Sequence, residues 1–478
     1  MVAGTVAFAT RASAQPVDNT FAVDLYQGAI LAPTRIAAMG GAYAGLAEGT
    51  AGLSKNAAAA ALRGPYSMSW FDYDADASFS VPLNLFENDD FDNSGTLDAD
   101  YSNFIYFSGA FHVFAGAFGM GFFGDFQRYS LSFEGREAST NVVVGRYHLL
   151  GGWRFVGNQI IVGGGARAVS LSIDDPTADL AVFGVAPQAG FLVRPDWLPF
   201  RVGATYRHPV RGRQILEEGE TVGSDGLRRT GDLLLPDTVE LPWEVELGFA
   251  IQVGSRPLNP EWIDPQEHED ELREHFRRRA SARRAAADRR LAALPPGPAR
   301  DSLAEELQRQ LAGEQQLDRV ELERRLDHLK DERRVVANGW PRDALLFTAD
   351  LLLSGPVADA VSLEQFLSQG QTRPEATCET IASGRNLTLS PRFGIEVEPF
   401  PNWVHTRFGT YYEPQRYSFG APACEECTGR QHFTFGADVK LFSTTWFGLS
   451  REITYTLQGF GDLAPRYQSF GIGLGVWH

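Results

Sequence analysis

The stretch "PWEVELGFAIQVG" puts Trp243, Val245, Leu247, Phe249, Ile251 and Val253 on one face of an extended chain, and Glu244, Glu246, Gly248, Ala250 and Gln252 on the other. The same alternation returns in "HFTFGADVKLF", where Phe433, Phe435, Ala437, Val439 and Leu441 oppose His432, Thr434, Asp438 and Lys440. The closing "FGIGLGVWH" groups Phe470, Ile472, Leu474 and Val476. Such strands bury one face in a soluble core or turn it to lipid. With 33 Phe, 49 Gly and 12% aromatic residues, the chain fits the second arrangement. No run approaches the roughly 18 to 20 apolar residues of a membrane-spanning helix, so a chain that enters a bilayer here does so as a closed sheet.

Strand-like segments fall near 66–80, 103–114, 116–133, 140–155, 158–174, 180–194, 199–213, 241–255, 343–354, 387–399, 402–416, 431–442, 445–458 and 468–478. The pattern predicts an all-β protein, a 14-stranded antiparallel transmembrane β-barrel spanning 65–478. Connections after even-numbered strands are mostly tight ("AG", "VGN", "PFPN", "FST"), and those after odd-numbered strands are mostly long and polar (81–102, 214–240, 355–386, 417–430). This is the short-periplasmic, long-extracellular asymmetry of outer-membrane barrels. The exception is 256–341, a charged segment of helical composition broken by Pro295-Pro296-Gly297-Pro298, with a thin stripe of Leu303, Leu307, Leu311, Leu322, Leu326 and Leu329. It predicts a periplasmic helical hairpin inserted within the barrel, either a solvated spacer or an arm that docks a periplasmic or envelope protein.

The first residues resemble the end of a secretory signal over 1–14, with Ala12-Ser13-Ala14 as the cleavage site before Gln15. After it comes "AMGGAYAGLAEGTAGLSKNAAAAAL" (38–62), too poor in bulky side chains to fold alone and suited to close packing inside a lumen. We therefore expect 15–64 to form a hatch within the barrel. The "GGAYAG" glycines lack the spacing of a phosphate-binding loop. The chain also holds no HExxH and no Gly-x-Ser-x-Gly motif, so no enzyme is indicated. A net charge of −17 argues against a nucleic-acid surface.

These features together resemble the outer-membrane long-chain fatty acid and aromatic hydrocarbon transporters. The likeness is carried by the hatch-like 38–62, "GATYRHPVRG" (203–212), "LLLPDTVELPWEVELGFAIQ" (233–252) and the closing strand. Asn56 stands at the hatch asparagine, and Ala57 where a proline is usual. Trp477 lies one position before the terminus, where the family ends in an aromatic residue and this chain ends in His478. The resemblance implies a hatch-plugged 14-stranded barrel in the outer membrane of a Gram-negative bacterium, surrounded by outer-membrane lipid. It would carry a hydrophobic small molecule through a lumenal pocket and release it sideways into the bilayer. A related branch partners secretion machinery instead.

A carboxylate head group would need a lumenal cation. Alternation turns Arg201, Thr205 and Arg207 inward, and Lys55, Asn56 and Arg63 belong to or border the hatch, so these six are the candidate ligand path. Arg201 and Arg207 have a second reading, as neutralising partners of Glu244 and Glu246 one strand away. In "DDFDNSGTLDAD", Asp90, Asp92, Ser94 and Asp98 occupy positions 1, 3, 5 and 9 of a calcium loop, with Tyr101 in place of the twelfth-position glutamate. The 90–101 loop is thus either a calcium site or a solvated acidic loop. Cys378, Cys424 and Cys427 fall on predicted outer loops, enough for one disulfide whose pairing the spacing leaves open.

Overall fold

The computed structural model describes residues 18–64, 70–80, 93, 99–133, 139–175, 178–214, 220–231, 233–260, 265–367, 386–416, 429–444 and 453–477. Fourteen strands form one antiparallel, nearly closed barrel. They are β1 (Phe71–Ser80), β2 (Ala99–Ala115), β3 (Phe118–Phe133), β4 (Thr140–Phe155), β5 (Ile160–Asp175), β6 (Ala178–Val193), β7 (Phe200–Arg207), β8 (Glu244–Gly254), β9 (Ala344–Ser354), β10 (Thr388–Phe400), β11 (Val404–Glu413), β12 (Arg430–Thr444), β13 (Ile453–Ala464) and β14 (Tyr467–Trp477). Each pairs with the next, and β14 returns beside β1. Side chains alternate as the sequence requires: Phe249, Phe433 and Ile472 are 39%, 62% and 60% exposed on the outside, whereas Glu246, His432 and Asp438 are buried inside. No helix among the described residues is long and apolar enough to cross a membrane.

Two strands depart from expectation. The segment expected over 199–213 breaks at His208-Pro209, because proline cannot donate to the ladder. Its continuation, Val210–Gln214, pairs with both β6 and Thr238–Leu241. The strand expected at 445–458 instead runs over Ile453–Ala464 and meets β14 through a two-residue turn, Pro465-Arg466, with Arg466 at φ 59°.

The predicted hairpin is present as α1 (Pro265–Ala292, 28 residues) and α2 (Pro298–Asn338, 41 residues), separated around Pro295–Gly297. At 1.5 Å per residue α2 is about 62 Å long. Its leucine stripe is only half-buried apart from Leu307, and the helices are held largely by charge: Arg283 meets Asp318 at 2.6 Å and Glu314 at 3.2 Å. We call the end of the barrel bearing this hairpin the hairpin end. The opposite, loop end carries the 208–243 and 355–387 connections.

The hairpin shares little apolar surface with the wall. Replacing Pro265–Asn338 by a short Gly-Ser linker is therefore expected to leave a barrel that still migrates as a compact, heat-modifiable band in SDS; loss of that band would show that the helices stabilise the sheet.

Candidate functional site

The lumen is filled from the N-terminus. Strand Ala22–Asp24 lies parallel between Thr238–Leu241 and Ala360–Ser362 at the loop end. The chain then passes down the interior, makes a short helix at Thr34–Ala38, and turns at Gly40 and Gly41, whose φ of 60° and 73° favour glycine. It finishes as two short 3₁₀ helices, Thr50–Ser54 and Ala57–Ala61.

This segment lies directly on the glycines of the wall. A Cβ placed at Gly119 would overlap Ala60 O, at Gly163 Ala57 O, at Gly203 Ala44 O, at Gly248 Gly45 N, and at Gly409 Gly40 N. Several of these glycines are direct neighbours across the ladder, as in Gly119–Gly152–Gly163–Gly190, Gly203–Gly248 and Gly394–Gly409. Small residues on both surfaces let backbone meet backbone. The alanines of 57–61 complete the contact against Phe123, Leu150, Ile161 and Leu192.

Charged side chains pin the segment in place. Asn56 caps the second 3₁₀ helix by accepting from Ala58 N (3.0 Å), and its amide donates to Ala44 O (2.9 Å) and to Phe191 O of the wall (3.0 Å). Arg201 donates to Leu46 O (2.9 Å), Leu258 O (2.6 Å) and Asn259 Oδ1 (2.7 Å), and pairs with Glu48 at 2.9 Å. Arg207 donates to Lys55 O (2.6 Å) and pairs with Glu246 (2.9 Å) and Glu244 (3.3 Å). Lys55 and Arg392 approach the same Glu246 at 3.9 and 3.1 Å. Asp350 accepts from Tyr43 N and Ala44 N at 2.6 and 2.7 Å.

Of the expected ligand path, the structure thus brings Lys55 and Arg207 together around Glu246 and ties Asn56 and Arg201 to backbone. Thr205 donates to Ala189 O within the wall (3.1 Å), and Arg63 lies over Phe114 and donates to Trp70 O. The neutralising reading holds for Arg207, while Arg201 finds its carboxylate in Glu48 of the N-terminal segment. Asp90, Asp92, Ser94, Asp98, Cys378, Cys424 and Cys427 lie outside the described residues.

The loop-end half of the lumen is different in kind. There the inward faces of β2 to β6 carry Phe104, Tyr129, Leu131, Val144, Leu171 and Leu180, which pack with Phe21, Val23, Leu25, Val239 and Phe366. Strand faces turned away from lipid are expected to be polar, so this apolar face of β2 to β6 departs from the pattern; the same half also holds a buried charged cluster, in which Glu413 meets Arg430 at 2.7 Å and His432 at 2.8 Å, and His432 meets Asp462 at 2.9 Å. A small pocket opens within it between Asp24–Gln27 of the N-terminal segment and Tyr101, Tyr129, Val144, Leu363 and Glu364. Asp24 closes one side by pairing with buried Arg416 at 2.6 Å, and the Arg416 guanidinium stacks over Tyr26. Of this lining only Tyr101 is named from sequence, in place of a calcium-loop glutamate; the inward phase of "FGDFQRYSLSF" and "VVVGRYHLL" is the signal that could have found Tyr129 and Val144.

No protein-family model matches the chain, and no curated protein matches it. Among solved structures, two mutants of TodX, a monoaromatic hydrocarbon channel, are similar. The deltaS2 mutant has 9% identity and a TM-score of 0.41, and the deltaS2S3 mutant 10% and 0.44; each match covers 93% of this chain and 97% of that one. OprD of Pseudomonas aeruginosa matches with 6% identity and a TM-score of 0.23 over 87% of this chain and 98% of that one. Likenesses at these scores carry no weight for function.

Removing one partner of a buried ion pair costs about 3 to 5 kcal/mol. Glu246→Gln, which withdraws the charge shared by Arg207, Lys55 and Arg392, should therefore speed amide exchange of Asn56–Leu62 by about a hundredfold or more, since about 1.4 kcal/mol is a factor of ten. Unchanged exchange there would mean that the wall glycines hold the segment without the charges.

Proposed function

We propose that this chain is a non-enzymatic channel of the Gram-negative outer membrane that passes hydrophobic compounds through a barrel plugged by its N-terminal segment. The hairpin end faces the periplasm in this reading. The observation that carries it is the division of the lumen: a side-chain-poor segment against wall glycines at one end, and an apolar, aromatic face of β2 to β6 with a small pocket beside it at the other. A porin needs a wet passage, and the inward face of β2 to β6 offers greasy surface instead. Binding would draw on burial of an apolar body, worth about 0.8 kcal/mol per CH₂. Because the pocket is narrow, entry would require Asp24–Gln27 or the 355–367 connection to yield. Release sideways into the bilayer is the exit that suits a cargo insoluble in the periplasm.

A second reading is favoured by one observation, the roughly 62 Å helix of the hairpin. An arm of that length could dock a periplasmic or envelope protein, making the barrel a scaffold or secretion partner. Calcium in the 90–101 loop belongs with either reading as a separate proposal.

Mass spectrometry of small molecules retained by the protein, purified from outer membranes in mild detergent beside a porin control, separates the two. An enriched apolar compound is expected. A ligand-free barrel that carries down a stoichiometric protein, and loses it when Pro265–Asn338 is removed, would overturn transport in favour of the scaffold. Deleting residues 15–62 should also leave a folded barrel with raised permeability to hydrophilic antibiotics; unchanged permeability would refute the plug.

A further inference from the structure

The two halves of the lumen meet at a polar floor. Asp125 on β3 and Arg146 on β4 are direct ladder partners, and both point inward. They nevertheless do not satisfy each other. Arg146, half-buried, donates to Gln27 Oε1 of the N-terminal segment, and the Gln27 amide exchanges hydrogen bonds with Gln127 at 2.9 and 3.0 Å. Asp125 is only 5% exposed, and its Oδ1 has no hydrogen-bond partner among the described residues. Of the lumenal charges described above, Asp350 Oδ1 also lacks a partner among the described residues, though Asp350 Oδ2 accepts from two backbone amides, and Arg201, Arg207 and Arg416 each meet a carboxylate at 2.9 Å or less. A buried carboxylate oxygen without a donor costs free energy that a bound donor would recover.

The floor adjoins the apolar pocket through Gln27. Gln27 and Val144 both line the apolar pocket, and Val144 lies two residues from Arg146 on the same face of β4. A molecule seated in the pocket with its body against Tyr129, Val144 and Leu363 would present its end to Gln27, and parting the Gln27–Gln127 pair would open Arg146 and Asp125 to it.

We propose that this floor is a receptor for the hydroxyl group of an otherwise apolar molecule, an alcohol or a phenol, in preference to the corresponding free acid. The proposal rests on the hydrophobic-channel reading above and narrows its substrate class. A hydroxyl can donate to Asp125 Oδ1 while it accepts from the Arg146 guanidinium or an amide of Gln27 or Gln127. An ionised carboxylate can only accept: it would gain Arg146 but stand beside the Asp125 carboxylate, where like charges in a low-dielectric site repel strongly. An unfunctionalised alkane would leave the Asp125 oxygen unpaired.

The test uses the full chain in nanodiscs loaded with a fluorescent apolar probe, displaced in turn by 1-decanol, decanoate and decane near neutral pH. In the unmodified protein, decanol is expected to displace the probe at a free concentration at least about tenfold below that of decanoate, the usual worth of one satisfied buried polar contact. Asp125→Asn removes the repelling charge and should narrow that ratio to about threefold or less by improving decanoate. Arg146→Gln should weaken both ligands, and heat-modifiable migration checks that each variant is folded. Decanoate matching or beating decanol in the unmodified protein would overturn the hydroxyl receptor, as would a ratio that Asp125→Asn leaves unmoved. Decane competing as well as decanol would also overturn it, while leaving the hydrophobic channel standing. Failure of all three ligands to displace the probe would bring down both.

Discussion

Contact between the backbone of residues 38–62 and the glycines of the barrel wall is the constraint on which the interior depends. A sheet closed against hydrocarbon satisfies its own hydrogen bonds but leaves a lumen to be filled or flooded. Ordinary side chains on both surfaces would hold the segment away from the wall and leave gaps. Glycine at Gly119, Gly163, Gly203, Gly248 and Gly409 removes them from the wall, and alanine and glycine remove them from the segment. What remains is close packing at the density of a protein core, which gains dispersion contacts that a looser fit would forfeit.

Charge then supplies register where shape alone is uniform. A strip of alanine and glycine could slide along a strip of glycine with little penalty. Arg201, Arg207 and Asp350 each engage a specific backbone atom of the segment, and Glu246 gathers three cations around one carboxylate. Buried ion pairs of this sort contribute modestly to net stability, and fixing position is their best-supported use. The result is a division along the barrel axis: a half packed by backbone contact and paired charges, and a half in which β3 to β5 carry Tyr129, Val144 and Leu171 inward.

Much of this architecture is legible in the sequence, and its limits have physical causes. Period-two alternation is set by the pleat, so the strands containing Phe249 and Phe433 could be phased without any structure. β13 was misplaced because Gly459 and Gly461 blur the alternation where the strand ends, and because Arg466 takes a left-handed turn with no glycine or asparagine to signal it. Inward orientation of Arg201 and Arg207 follows from the same alternation. Their partners do not: Glu48, Leu258 and Asn259 reach Arg201 only through the path of the N-terminal segment and of the connection after β8. Alternation also turns Asp125 and Arg146 inward, but two opposite charges on adjacent strands read as a routine pair, and only the path of the N-terminal segment turns Arg146 to Gln27 instead.

We propose that the lumen is closed at rest by its own N-terminal segment. Conductance of the intact protein in a planar lipid bilayer addresses it most directly. No steady ionic current is expected after insertion, with at most brief openings. A stable, porin-like conductance from the full chain would contradict it.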